Sequence, residues 1–121
     1  MLEDTRANEV LAQIHAHRSI RKYTSEPVRE QDITSAIASG QAAATSSAVQ
    51  PYSVIRVTDM EKRAKIAHLC GPQEKVADAP EFFVLCADLR RHALVFQHAG
   101  QHYEQRLEAF LIAVIDTSLF A

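Results

Sequence analysis

The segment His17–Tyr23 concentrates the side chains best suited to bind an anion. It reads His-Arg-Ser-Ile-Arg-Lys-Tyr, so the guanidinium groups of Arg18 and Arg21 flank the hydroxyl of Ser19. Arginine presents a planar fork of N–H donors that matches a phosphate group, and it stays charged. Because alternate residues of an extended backbone share a side, we expect His17, Ser19 and Arg21 to form a small anion-binding face with Ile20 buried behind it. The same run is also typical of a solvated helix C-terminus, where the helix dipole favours basic residues.

A second candidate is the run of small residues over Ala43–Ala48, which precedes Val49–Tyr52. Thr45 and Ser46 carry hydroxyls but little bulk, so this loop would let a flat ligand approach the backbone. An ordinary connection between a helix and a strand has the same composition. Both interpretations stay open at this point.

Gln73 is a third candidate because it follows the helix-breaking pair Gly71-Pro72. Its amide offers a donor and an acceptor together, which suits the edge of a heterocyclic ring. A plain loop glutamine would occupy the same place in the sequence.

The motifs of several other functional classes are absent from the sequence. Glycine occurs only at positions 40, 71 and 100, which excludes glycine-rich phosphate loops and a G-x-S-x-G nucleophile motif. A bound phosphate would therefore need arginine and hydroxyl side chains. His98 and His102 have the i, i+4 spacing of a helical metal pair but lack a third ligand, so we predict no metal site. Cys70 and Cys86 lie in apolar runs and are expected to be packing residues.

The composition is typical of one soluble globular domain. The chain has 121 residues, of which 47% are hydrophobic and 23% are charged. A net charge of −2 argues against a nucleic-acid-binding surface, and no apolar run is long enough to span a membrane, so neither is an expected partner. The two cysteines form no C-x-x-C pair, which predicts reduced thiols and a cytoplasmic location.

Hydrophobic periodicity predicts helices around a central sheet, an α+β or α/β fold. Asp4 is expected to cap the first helix, and Arg29 stands where a capping side chain would precede the second. The later predicted elements are a strand Ser53–Thr58, a helix capped by Asp59 and ended by Gly71, a short helical turn Gln73–Asp78, a strand Phe82–Ala87 buried on both faces, a helix Leu89–His98, and a last helix from about Gln101.

The last predicted helix is apolar on nearly every side and has no glycine, proline or basic turn to end it. Such a helix should be covered by other parts of the chain or by a second subunit. We interpret the ending as a chain cut in the middle of a helix.

Together these features resemble the nitroreductase and flavin reductase family, and the subgroup of oxygen-insensitive NADPH nitroreductases and NADPH–flavin oxidoreductases in particular. The similarity runs from about Glu9 to Ala121. The motifs that carry it, in order, are His17-Arg18-Ser19-Ile20-Arg21, Thr45-Ser46-Ser47, Gln50-Pro51-Tyr52, the Val54–Asp59 strand, Gly71-Pro72-Gln73, Glu81–Asp88 and Ile115-Asp116-Thr117.

The resemblance implies an FMN-dependent oxidoreductase that takes a hydride from NADPH or NADH and reduces nitroaromatics, quinones or flavins in a ping-pong cycle. It also implies a homodimer with FMN at the subunit interface, with Thr45 and Ser46 reaching the ring from the partner subunit. Arg21 would lie near the pyrimidine edge of the flavin, and Gln73 would place its amide against the ring. The implied cofactor-binding residues are His17, Arg18, Ser19, Arg21, Thr45, Ser46 and Gln73.

Family members of full length continue beyond the point that corresponds to Ala121, with further segments for flavin and NADPH. The resemblance therefore implies that residues 1–121 are the N-terminal part of a single nitroreductase-like domain and that they hold FMN weakly or not at all. Three alternatives stay open: a dimerisation fragment of the same fold without flavin, another FMN enzyme of the superfamily such as a dehalogenase, and a small anion-binding module.

Overall fold

The computed structural model describes residues 9–121, which form helices and one small sheet. The predicted Asp4 cap lies outside the described residues. The helices are α1 (Glu9–Ala16), α2 (Glu30–Gln41), α3 (Met60–Leu69), α4 (Glu74–Asp78), α5 (Arg90–His98) and α6 (Leu107–Phe120); the strands are β1 (Tyr52–Arg56) and β2 (Phe83–Ala87). A short 3₁₀ turn, Ser46–Ala48, precedes β1. None of the helices within residues 9–121 is long and apolar enough to cross a membrane.

The two strands form an antiparallel pair in which Val54 lies opposite Leu85. Helix α6 packs against both strands, and α2 packs against α6. The antiparallel pairing makes the fold α+β, with helices around the sheet as predicted. Arg56 at the end of β1 joins three elements, since its guanidinium pairs with Glu30 of α2 at 2.7 Å and with Glu81 before β2 at 2.6 Å.

The predicted cap of α3 is confirmed. The carboxylate of Asp59 accepts from the backbone N–H groups of Glu61 at 2.9 Å and Lys62 at 3.2 Å. These hydrogen bonds stabilise the charged carboxylate and lower the pKa of Asp59. Arg29 forms no capping hydrogen bond at the start of α2 and instead pairs with Asp32 at 2.7 Å.

The last helix begins at Leu107, so the prediction of a start near Gln101 was wrong. Gly100 adopts φ +67° after α5, which is easy for glycine. Its N–H bonds to the carbonyl of Gln97 at 3.1 Å, and the N–H of Gln101 bonds to that of Phe96 at 2.8 Å. This Schellman arrangement closes α5 and turns the chain away before α6 can start.

One packing expectation is also corrected. Residues 83–86 of β2 are half-buried rather than buried on both faces. In the described residues β2 has only one neighbouring strand, β1, and the sheet is covered by helix α6. Gly40 is the last residue but one of α2. A Cβ at Gly40 would stand 2.9 Å from the ring of Phe120, so this glycine allows α2 and α6 to approach closely.

Candidate functional site

The basic segment leaves α1 at His17 and runs without regular secondary structure through residue 29. Arg18 donates to the backbone carbonyls of His15 at 3.2 Å and of His17 at 2.8 Å. Ser19 and Arg21 are exposed. The expectation that Ile20 is buried was wrong, because Ile20 is 62% exposed and no described element packs over it.

Arg21 lies beside α4. A cleft of about 350 Å³ separates the segment from that helix, and its walls are formed by Arg21, Lys22, Tyr23, Glu74, Lys75 and Asp78. Within residues 9–121 the guanidinium of Arg21 forms no ion pair, although two carboxylates line the same cleft. Its donors are therefore available to an anionic ligand.

Gln73 is held at the start of α4 by the end of α3. Gly71, at φ +77°, ends α3. The next residue, Pro72, has no N–H to donate. The backbone N–H of Gln73 bonds to the carbonyl of Ala67 in α3 at 3.1 Å. The side-chain amide of Gln73 donates to the carbonyl of Cys70 at 3.1 Å. Backbone and side chain are thus both tied to α3, which fixes the half-buried amide in place.

The C-terminal end of α4 is held in place by hydrogen bonds from Arg63, which is 4% exposed. Its guanidinium donates to the carbonyl of Val76 at 3.0 and 3.2 Å and to that of Ala79, and it lies 6.0 Å from the centre of the Phe82 ring. A buried cation that satisfies backbone carbonyls holds the helix carrying Gln73 against α3.

The loop of small residues is anchored to α6 by Asp116. The hydroxyl of Thr45 donates to the Asp116 carboxylate at 2.6 Å, and the backbone N–H of Ser46 lies 3.2 Å from both of its oxygens. Thr45 Oγ1 in turn accepts from the N–H of Gln50 at 3.2 Å. Asp116 is 1% exposed, so these contacts form in the protein interior.

The same loop is unusual in its backbone. Ser47, Ala48 and Gln50 have φ of 52°, 56° and 47°, a left-handed conformation that residues with a Cβ rarely adopt. Such conformations persist only where surrounding contacts impose them, and they cluster at functional sites.

Helix α5 holds the far side of this loop. Arg91 donates to the carbonyl of Gln50, and the Nε2 of His92 lies 2.9 Å from the carbonyl of Val49. Asp88 accepts from the hydroxyl of Ser53 and from the N–H of Arg91, and these contacts lower its pKa. Strand β1, helix α5 and the small-residue loop before β1 are therefore connected by one network of polar contacts.

The sequence-predicted residues thus fall into two groups. His17, Arg18, Ser19 and Arg21 occupy the basic segment that runs beside α4, and Gln73 directly precedes that helix. Thr45 and Ser46 belong to a loop held by α5 and α6. No hydrogen bond or ion pair joins the two groups within the described part of the chain. The prediction that they share one flavin site stays open.

Sequence reasoning missed the role of Asp116. It was noted only as part of a motif, although an acidic residue inside an otherwise apolar helix is itself a signal of a buried polar contact. Arg63 was missed for a different reason, because nothing in its surroundings distinguishes it from the exposed basic residues of α3.

His98 ends α5 and His102 lies in the following coil, so their spacing does not place them on one helical face. Among residues 9–121 no group of three or more histidine, cysteine or carboxylate side chains is placed to hold a metal ion.

A sequence model of the nitroreductase family matches residues 14–113. The chain is 40% identical, over 94% of its length, to an FMN reductase (NADPH) from Bacillus subtilis strain 168, and 39% identical, over 94%, to an NADPH-flavin oxidoreductase from Vibrio harveyi. It covers 47% and 46% of those two proteins. The chain thus spans about half the length of the curated relatives it matches.

Solved structures are similar to this chain over nearly its whole length. NfrA1 from B. megaterium superposes with a TM-score of 0.90 and 41% identity, covering 94% of this chain and 47% of that one. The NADPH:FMN oxidoreductase from Vibrio harveyi, solved in complex with NAD⁺, superposes with a TM-score of 0.86 and 38% identity, covering 93% and 48% of the two chains.

Proposed function

Because this chain belongs to the nitroreductase family, we propose that it acts within an FMN-dependent NAD(P)H oxidoreductase that reduces small acceptors such as nitroaromatics, quinones or flavins. The names of the relatives, an FMN reductase (NADPH) and an NADPH-flavin oxidoreductase among them, support this choice of cofactor and co-substrate. The observation that carries the proposal is the guanidinium of Arg21, which is exposed, has no ion-pair partner in the described residues and lies beside α4, the helix that Gln73 directly precedes.

The donors of the basic segment fit the phosphate and ribityl groups of FMN. Arg18 offers a guanidinium group, Ser19 offers a hydroxyl, and no backbone N–H from residue 18 to residue 28 donates to another described backbone carbonyl. A phosphate dianion needs several donors, and this segment would supply them from Arg18, Ser19 and the backbone, without a glycine-rich loop.

Each proposed residue has a distinct task. FMN, when bound, supplies the hydride chemistry, and the protein supplies position and electrostatic field. Arg21 provides positive charge, which would stabilise negative charge on the flavin pyrimidine. Gln73 presents an amide whose direction is fixed by Cys70, and Thr45 and Ser46 present a surface without bulk.

Exposed apolar faces support the proposed homodimer. Leucine, valine, isoleucine and phenylalanine side chains of α1, α5 and α6 are 41% or more exposed; they are Val10, Leu11, Ile14, Leu94, Val95, Phe96, Leu107, Phe110, Leu111, Val114, Ile115 and Leu119. Apolar surface on this scale is typical of a surface covered by a second subunit or by other parts of a chain, rather than of a free surface. In the proposed dimer the loop carrying Thr45 and Ser46 completes the flavin site of the partner subunit.

Of the two expectations for residues 1–121, weak binding of FMN or none, the proposal requires weak binding. Titration of the purified protein to high FMN concentrations tests it, with flavin fluorescence quenching as the readout. We expect Arg21→Met to raise the Kd for FMN at least about tenfold, and Arg21→Lys to raise it less, because lysine keeps the charge but loses the planar fork. Lys65→Met is the control, since Lys65 is an exposed cation of α3 that does not line the cleft beside Arg21, and its Kd should equal that of the unsubstituted protein.

A second measurement separates the remaining interpretations. NADPH should bleach the flavin absorption, and a nitroaromatic or quinone should restore it. Binding without bleaching would favour another FMN enzyme of the superfamily, and equal Kd values for the Arg21→Met and Lys65→Met variants would contradict the assignment of Arg21. Failure of the unsubstituted protein to bind FMN would favour a dimerisation fragment without flavin.

A further inference from the structure

We propose that Asp116 is a positioning residue for the flavin site, acting through the loop that carries Thr45 and Ser46. This inference rests on the proposed function, because it concerns how the same site is shaped. Asp116 itself lies within α6 and is 1% exposed, so it acts on a ligand only through the residues it holds.

The hydrogen bonds of Asp116 explain why a carboxylate is needed. A charged carboxylate only accepts hydrogen bonds, so it can take both the Thr45 hydroxyl at 2.6 Å and the Ser46 N–H at 3.2 Å. No lysine, arginine or histidine within residues 9–121 forms an ion pair with Asp116. The Thr45 hydroxyl and the Ser46 N–H therefore satisfy the hydrogen-bonding requirement of this buried acidic group.

Asp116 also sets the direction of the Thr45 hydroxyl. Since the proton of that hydroxyl points to the carboxylate, its oxygen is left to accept the N–H of Gln50 at 3.2 Å. This second bond closes the loop on itself across Ser47 and Ala48, whose φ values are 52° and 56°. The contacts with Asp116 thus help impose a backbone that the sequence of the loop does not favour.

The inference is tested with Asp116→Asn and Asp116→Ala in the purified protein, by hydrogen–deuterium exchange without FMN and by FMN titration. Asparagine keeps one acceptor oxygen but turns an NH₂ group toward the other donor. Glu108→Gln is the matched control, because Glu108 lies on the same helix and is exposed. We expect Asp116→Ala to speed exchange of the amides of residues 45–50 at least about tenfold and to raise the Kd for FMN by a similar factor, with Asp116→Asn between it and the control.

The exchange of β1 and β2 amides separates a local from a global effect. It should stay unchanged in Asp116→Asn, and equal acceleration there and in the loop would overturn the positioning role. Faster loop exchange with an unchanged Kd would also overturn it and would leave the proposed function standing. If the unsubstituted protein bound no FMN, both the proposed function and the role of Asp116 within it would be overturned, whatever the exchange data.

Discussion

The hydroxyl of Thr45 and the carboxylate of Asp116, which are 71 residues apart in the sequence, are joined by a hydrogen bond of 2.6 Å. This contact links the small-residue loop before β1 to the apolar helix α6. It makes the shape of the loop depend on a helix that packs against both strands of the sheet. Substitutions at this contact and at other contacts between elements should change the free energy of unfolding.

Thr45→Val should destabilise the protein. Valine has a similar volume but leaves Asp116 without its shortest hydrogen bond and Gln50 without an acceptor, which should cost about 1–3 kcal/mol of unfolding free energy. Thr45→Ser keeps the hydroxyl and is the control, expected to lose less than half as much. Urea unfolding followed by circular dichroism measures both, and equal losses in the two variants would contradict the role given to the hydroxyl.

Ala48→Gly should be neutral or stabilising by up to about 1 kcal/mol, because glycine relieves a left-handed residue at φ 56° although it also gains freedom in the unfolded chain. The same change at Ala64, an exposed residue inside α3, should destabilise by about 1 kcal/mol. Thermal or urea unfolding compares the two variants. A larger loss at Ala48 than at Ala64 would show that the loop does not adopt the left-handed backbone.

Arg63→Met should reduce the unfolding free energy by about 2–4 kcal/mol, because it leaves the carbonyls of Val76 and Ala79 without a donor in the interior. Arg63→Lys should recover only part of this loss, since one ammonium group cannot reproduce the fork. Arg106→Met removes an exposed arginine and should change stability by less than about 0.5 kcal/mol. Urea midpoints of the three variants test this order, and similar midpoints for Arg63→Met and Arg106→Met would refute it.

The stability contributed by Glu81 should depend on pH. Arg56 donates to both of its oxygens, at 2.8 and 2.6 Å, and lowers the pKa of Glu81 below its ordinary value of 4.5. A carboxyl whose folded-state pKa is lowered stabilises the fold above its unfolded pKa and loses that contribution as the pH falls through the folded value. Glu81→Gln should therefore be less stable than the unsubstituted protein at neutral pH, with a difference that shrinks as the pH falls below about 4.5.

Urea midpoints measured from neutral to acidic pH test this dependence. Glu30→Gln removes the other carboxylate that contacts Arg56, but the Glu30 side chain is 75% exposed, so its effect should be smaller at every pH. A gap between Glu81→Gln and the unsubstituted protein that stays constant across the pH range would show that the ion pair does not contribute through its charge.

Much of the fold followed from local sequence signals. Asp59 caps α3 and Gly71 ends it, as predicted, because both effects act within a few residues along the chain. The start of α6 was misplaced, since a helix-forming composition after Gly100 does not reveal that a Schellman motif diverts the backbone. The close approach of α2 and α6 at Gly40 could not be predicted for a related reason, because Phe120 is distant in sequence from that glycine.

The candidate site, like the fold, was predicted from the sequence only in part. Residue types and order alone identified the family and the candidate residues Arg18, Ser19, Arg21 and Gln73, because anion-binding chemistry depends on which side chains are present. Their contact with FMN stays a prediction.

Only the tertiary structure revealed that Asp116 holds Thr45 and Ser46, that Arg63 holds α4, and that Ser47 and Ala48 are left-handed. These features arise from contacts between elements far apart in the chain, and the energy of such a contact cannot be assigned until the fold brings its partners together.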